Sequence, residues 1–126
     1  MPSISAKSFV VVLGVSDNPE RFAFRAMQML LAAGYHAIPV NPMLSEVLRQ
    51  KCYPSIADVT DPIDTITLYL GAARSEPLID VIVKSKARRI IFNPGAENEH
   101  LAAEAEKHGI EVVRDCTLVM LQTGAF

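Results

Sequence analysis

The sequence predicts an α/β fold of three layers, a doubly wound parallel sheet of about five strands with helices on both faces. Three observations predict it. Short apolar runs alternate with segments of helical apolar spacing along the whole chain, which means parallel strands joined by right-handed crossovers. The first run, Phe9-Val10-Val11-Val12-Leu13, is apolar without interruption and stops at Gly14, the mark of a strand covered on both faces. The connections are short, as one compact domain over residues 1–126 requires. The arrangement is of Rossmann type.

The elements follow in order. After Gly14, Asn18 is placed to cap a helix and Pro19 to open it, since the missing proline N–H has no helical partner there. Ala23, Ala26, Met27, Leu30 and Leu31 form its apolar stripe, and Gly34 stops it. His36-Ala37-Ile38-Pro39-Val40 is the second strand, closed by Asn41-Pro42. Residues 46–50 read as a short helical turn, and 53–59 as a loop with a weak turn. Residues 63–70 form a third strand. Residues 77–84 are helical, with Leu78, Ile79 and Ile82 on one face. Arg89–Phe92 is a fourth strand, ended by Asn93-Pro94-Gly95. Residues 97–108 form a helix with Leu101, Ala102 and Ala105 inward and Gly109 as its stop. Residues 110–113 are a fifth strand, and 117–121 an apolar closing segment that the pattern assigns to neither class.

Composition narrows the function. The chain of 126 residues is 50% hydrophobic and 21% charged, the balance of a globular domain and not of a disordered chain. No apolar run is long enough to span a bilayer, so no membrane partner is expected. A net charge of −2 lacks the basic excess that nucleic-acid binding needs. Ala87-Arg88-Arg89 is the one tight basic cluster and reads as a solvated lead-in to a strand. Cys52 and Cys116 make neither a CxxC pair nor a zinc spacing. Met1-Pro2-Ser3-Ile4 carries no basic segment followed by a long apolar stretch. A cytoplasmic location with free thiols is therefore expected.

In doubly wound sheets ligands bind outside the carboxyl ends of the strands, where the strand order reverses. Four segments lie there: residues 14–21, 41–44, 70–74 and 93–98. In the first, Gly14-Val15-Ser16-Asp17-Asn18-Pro19 leads into a helix start, where free N–H groups and the dipole favour an anion. Gly14 permits the tight turn, Ser16 offers a hydroxyl, and Arg21 reaches the same anion or pairs with Asp17 and Glu20. The dinucleotide fingerprint G-x-G-x-x-G is absent, with Ser16 at its second glycine. The second strand ends without an acid, which disfavours a nicotinamide or flavin dinucleotide. No Walker lysine is present. What remains is a phosphate-bearing nucleotide whose ribose needs no carboxylate; coenzyme A fits, although these residues do not single it out.

The run Val11-Val12-Leu13-Gly14-Val15-Ser16-Asp17-Asn18-Pro19-Glu20-Arg21, followed by Gly34-Tyr35-His36-Ala37-Ile38-Pro39-Val40-Asn41-Pro42, resembles the single-domain CoA-binding proteins. These are similar to the CoA-binding domain of succinyl-CoA synthetase α-subunits and of ADP-forming acyl-CoA synthetases. Lys51-Cys52-Tyr53-Pro54-Ser55-Ile56, Asn93-Pro94-Gly95-Ala96-Glu97-Asn98 and Cys116-Thr117-Leu118-Val119-Met120-Leu121 extend the likeness over nearly the whole chain. The resemblance implies coenzyme A or an acyl-CoA as ligand. It implies that Gly14, Val15, Ser16, Asn18 and Arg21 serve the phosphate site and that Val40, Asn41 and Pro42 border the adenosine end. It also implies that Leu70, Gly71 and Ala72, with Asn93, Pro94 and Gly95, face the pantetheine arm. One departure is Met43, where relatives often carry a lysine suited to the ribose 3′-phosphate.

Catalysis has little support. The synthetases use a phosphorylated histidine on a further domain and a nucleotide-grasp domain, and these 126 residues include neither. His36 opens a strand at the far end from the site, while His100 and His108 sit beside acids on the last helix. No histidine has zinc-ligand partners at useful spacing, and no metal site is expected. Glu97 and Asn98 are placed to cap that helix. Gly14-Val15-Ser16-Asp17-Asn18 departs from the nucleophile elbow at its fifth position. Cys116 follows the fifth strand near the ligand end and reads either as a small apolar residue or as a thiol able to exchange with that of coenzyme A. Cys52 reads as a small apolar residue or a surface thiol. The expected function is thus binding without catalysis. The alternatives are an NAD(P)-type redox protein and a CoA-binding subunit completed by a ligase partner, and a homodimer through residues 117–126 is open.

Overall fold

The computed structural model describes residues 8–126; Met1-Pro2-Ser3-Ile4 lies outside them. In chain order the strands are β1 Phe9–Leu13, β2 His36–Val40, β3 Glu46–Val47, β4 Gln50–Lys51, β5 Ile63–Leu68, β6 Arg89–Phe92 and β7 Glu111–Arg114. The helices are α1 Phe22–Ala32, α2 Ala72–Ser75, α3 Ile79–Lys84, α4 Glu99–Lys107 and α5 Thr117–Thr123. Five strands make one parallel sheet in the order β2-β1-β5-β6-β7. Tyr53 adds a single parallel bridge to Val40 on the outer side of β2. Counted as a rudimentary strand, it completes the order 3-2-1-4-5-6 of the Rossmann fold.

The strand pleat divides the core in two, because successive side chains point to opposite faces. Val11, Leu13, Ile66, Leu68, Ile90 and Phe92 pack with Ile79, Ile82, Leu101 and Ala105 of α3 and α4. Val10, Val12, Ala37 and Ile91 pack with Phe24, Met27 and Leu30 of α1 and Met120 beside them in α5. An unbroken apolar run therefore reports two covered faces.

Several local expectations are corrected. Asn18 does not cap α1; residues 18–21 form a turn, with the Arg21 N–H donating to the Asn18 carbonyl at 3.0 Å, and the helix starts one turn later. Residues 46–51 are a hairpin and not a helical turn, with Leu48 and Arg49 both at positive φ. Its two-residue turn of primed type is normally marked by Asn-Gly or Asp-Gly, which this sequence lacks. The β5 strand ends at Leu68, and helical backbone begins at Ala72, ahead of Pro77. The closing segment is helical and stops at Gly124, φ 77°. Arg89 is buried and not solvated: its Nε donates to Thr65 Oγ1 at 2.8 Å, its Nη2 to the Phe126 carbonyl at 3.2 Å, and the guanidinium lies over the Phe126 ring. Cys52 is buried, not a surface thiol, and burial pushes it up from the ordinary thiol range against a weaker opposing bond to the Asn41 backbone.

Candidate ligand-binding site at the strand-order reversal

Strand order reverses between β1 and β5, and the segments that follow β1, β2, β5 and β6 meet there. Gly14 turns the chain at φ 89° and donates its N–H to the Val40 carbonyl at 3.1 Å. A Cβ at Gly14 would lie 2.8 Å from Leu70 Cδ2 and 3.2 Å from the Tyr69 carbonyl carbon, so both backbone and space require glycine. The Ser16 Oγ accepts from the Asn18 N–H and the Asn18 Oδ1 from the Glu20 N–H, each at 3.0 Å. These two side-chain turns set the path of the segment. Arg21 stands at the N-cap of α1 in extended backbone, with no side-chain cap and no acid in the first turn. Among the described residues, then, no side chain caps the first N–H groups of the helix and no acid in its first turn opposes the positive dipole end.

Asn41 fixes the second segment to the first. Its Nδ2 donates to the Val15 carbonyl at 2.7 Å, and its Oδ1 accepts from the Met43 N–H at 2.7 Å. Both ends of the amide are consumed, so Asn41 shapes the site as much as it lines it.

Two hollows open here. The smaller, about 200 Å³, is walled mainly by Leu13, Val40, Pro42, Pro54, Ile56, Leu78 and Val81. The larger, about 420 Å³, is walled by Gly14, Val15, Ser16, Asp17, Arg21, Leu70, Pro94 and Gly95, with Phe22, Met43, Tyr69 and Ala96. Gly14, Asn41, Leu70 and Arg74 line both and form the waist between them. Of the residues singled out in the sequence, Gly14, Val15, Ser16, Arg21, Val40, Asn41, Pro42, Leu70, Pro94 and Gly95 are brought together around these hollows. Asn18, Gly71, Ala72 and Asn93 line neither. Asn18 shapes the first turn, and Gly71 is the N-cap residue of α2, with Ala72 following it.

Asn93 lies beneath the site, buried in the sheet. Its Nδ2 donates to Thr67 Oγ1 at 2.8 Å and to the Leu68 carbonyl at 2.9 Å, and its Oδ1 accepts from the Thr117 N–H at 2.8 Å. It thereby ties β5, β6 and α5 together. The Thr67 and Thr117 hydroxyls bond each other at 2.7 Å. The Tyr69 hydroxyl beside them is left without a partner among the described residues. Burial, partly offset by these threonines, pushes the phenol up to about 12.

Two residues that sequence reasoning missed stand out. Arg74 sits at the waist, and Tyr69 forms part of the larger wall. Arg74 lies in the segment 70–74 expected at the ligand end but was not singled out within it, because the helix starting at Ala72 is hidden by Pro77; Tyr69 falls where the strand expectation ran two residues too far. Among the described residues, neither Arg21 nor Arg74 makes a side-chain hydrogen bond or ion pair. Asp17 and Glu20, offered as partners for Arg21, do not take that role.

Other groups stand apart. His36 stacks on Phe9 at the amino end of the sheet, His100 bonds Glu76, and His108 bonds the Glu104 carbonyl. Cys116 is half-buried at the start of α5 and lines neither hollow. Glu97 accepts from the Gly95 N–H at 3.0 Å, while Asn98 caps α4 at the Leu101 N–H at 3.0 Å. Among the described residues no cluster of three metal-ligating side chains occurs, and no helix is long and apolar enough to cross a membrane.

Comparison with known proteins points the same way. A family model described as a CoA binding domain matches residues 8–122. The uncharacterized protein YneT of Bacillus subtilis is 26% identical over 106 residues, which are 84% of this chain and 78% of that one. Acetate–CoA ligase (ADP-forming) II of Archaeoglobus fulgidus is 30% identical over 126 aligned positions, 90% of this chain but only 19% of the ligase. A crystal structure of an uncharacterized protein superposes with a TM-score of 0.90 at 36% identity, covering 97% of this chain and all of the other.

Proposed function

The chain belongs to the CoA-binding domain family, and on that premise we propose that it binds coenzyme A or an acyl-CoA at the waist between the two hollows, without catalysis of its own. The observation that carries this reading is a helix start without a side-chain cap, with two arginines beside it that are unpaired among the described residues, at the reversal of a Rossmann sheet. Free amides and the dipole of α1 receive the diphosphate, and Arg21 and the Ser16 hydroxyl add to them. The apolar hollow beside Val40 and Pro42 suits the adenosine end. The larger one, with Tyr69, Leu70, Pro94 and Gly95 in its wall, suits the pantetheine arm. Met43, 84% exposed, lines the larger hollow and not the one assigned to the adenosine end, and as an apolar side chain it supplies no cation for a phosphate.

Ser16→Asp tests the placement. A carboxylate beside the diphosphate repels it and removes the hydroxyl, so affinity for coenzyme A measured by calorimetry should fall beyond detection while the fold persists. Affinity that survives this change would move the phosphate elsewhere.

A second reading has its own support. The chain spans about a fifth of the Archaeoglobus ligase, so it could serve as the CoA-binding part of a ligase completed by another chain. Size-exclusion chromatography of native lysate tests this: co-elution with a nucleotide-grasp subunit supports it, and elution at the size of this chain alone or its dimer counts against it.

A further inference from the structure

The waist between the hollows carries one charged side chain, Arg74. It is exposed, and it has no hydrogen-bond or ion-pair partner among the described residues. Its backbone is held firmly. The Arg74 and Ser75 N–H groups both donate to the Gly71 carbonyl at 3.0 Å. The Ser75 hydroxyl, fully buried, accepts from Asn98 Nδ2 at 2.9 Å, which pins α2 to the start of α4. Arg21 opens the helix on one face of the sheet, whereas Arg74 leads into α3 on the other. The two therefore reach the larger hollow, which both line together with Gly14, from elements on different faces of the sheet. The one carboxylate of the larger wall, Asp17, pairs with neither.

An unneutralised guanidinium carried on a pinned backbone is an available bidentate donor for a phosphate. We propose that Arg74 holds the diphosphate of the bound ligand at the waist, from the side opposite Arg21, and is the residue that selects a diphosphate-bridged ligand joining an apolar end to a longer polar arm. This rests on the reading of the ligand as coenzyme A and adds a contact that the family likeness does not supply.

Titration calorimetry of the wild type, Arg74→Gln and Arg74→Lys with coenzyme A, dephospho-coenzyme A and inorganic pyrophosphate tests it. The expected result is an equal loss with coenzyme A and dephospho-coenzyme A in Arg74→Gln, about ten- to a hundred-fold, with partial recovery in Arg74→Lys. The melting temperature without ligand should move by no more than about 2 °C, since the side chain makes no bond in the fold. Unchanged affinity in Arg74→Gln overturns the proposal. So does a loss confined to coenzyme A, which would assign Arg74 to the ribose phosphate. If the wild type ignores both coenzymes yet binds pyrophosphate through Arg74, the coenzyme reading falls and the arginine's role stands. If the wild type binds none of the three, both fall.

Discussion

Tyr69 places its ring in the wall of the larger hollow and its hydroxyl beside those of Thr67 and Thr117, where it has no hydrogen-bond partner among the described residues. A buried hydroxyl without a partner costs about 1–3 kcal/mol. Tyr69→Phe should therefore stabilise the protein by about 1 kcal/mol in urea denaturation, and a loss of stability would mean the hydroxyl has a partner after all. The raised phenol has a second consequence. Its folded value lies above the unfolded one, so this group leaves stability unaffected below about pH 10 and lowers it as pH rises toward about 12. Tyr69→Phe removes that part of the alkaline decline. At this scale the sequence was legible where chemistry is local. Gly14 announces its turn, because a positive φ against Leu70 permits little else. Asn93 was not legible: its amide is used by Thr67, Leu68 and Thr117, some 25 residues away on either side, and no local pattern encodes such partners.

Among the elements, α4 is the most clearly punctuated. Asn98 caps its start, and the His108, Gly109 and Ile110 N–H groups close its end, with Gly109 at φ 78°. Asn98 also reaches Ser75 and Glu76, so it joins α4 to the segment that presents Arg74. Asn98→Ala should cost about 1–2 kcal/mol for the cap alone. The full loss should exceed that, because the buried Ser75 hydroxyl loses its donor. Equilibrium denaturation of Asn98→Ala beside Asn98→Asp, which keeps the cap acceptor and loses the donor, separates the two terms; identical losses would contradict the double role. The elements that misread have a common physical cause. Helix α1 starts late because two side-chain turns hold residues 16–21 in loop geometry. The β3–β4 hairpin escapes notice because tertiary packing, with Val47 and Cys52 buried against the core, supports a turn without glycine. Short elements that depend on distant neighbours leave little periodicity to read.

Across the whole molecule, the two ends of the sheet divide the work. The carboxyl ends gather the hollows with Arg21 and Arg74, which are unpaired among the described residues. Away from them, Arg88 bonds Asp64 at 2.8 Å and reaches Glu111 at 3.4 Å, next to where β5, β6 and β7 begin. Burial raises the Asp64 carboxyl, but the bonds from Arg88 and Thr65 and the arginine charges together hold it below the usual carboxylate range. A depressed folded value means that its contribution is present above the unfolded range and is lost as pH falls through the folded one. Denaturation midpoints should drop on acidification below about pH 4, and less steeply in Asp64→Asn. An unchanged acid profile in that variant would show the pair to be energetically silent, as many exposed pairs are. At this scale the sequence was most legible of all. Alternation of apolar strands and amphipathic helices fixes the layers, and the pleat assigns each strand residue to one of two cores.

The most direct measurement is the thermal shift of the purified protein with coenzyme A, dephospho-coenzyme A, NAD, NADP and ATP at equal concentration. At a hundred times the dissociation constant a ligand adds about 2.7 kcal/mol, a rise of several degrees for a domain of this size. Binding of coenzyme A at the waist predicts that rise with coenzyme A and not with NAD or ATP. A rise with NAD or ATP, and none with coenzyme A, would contradict it.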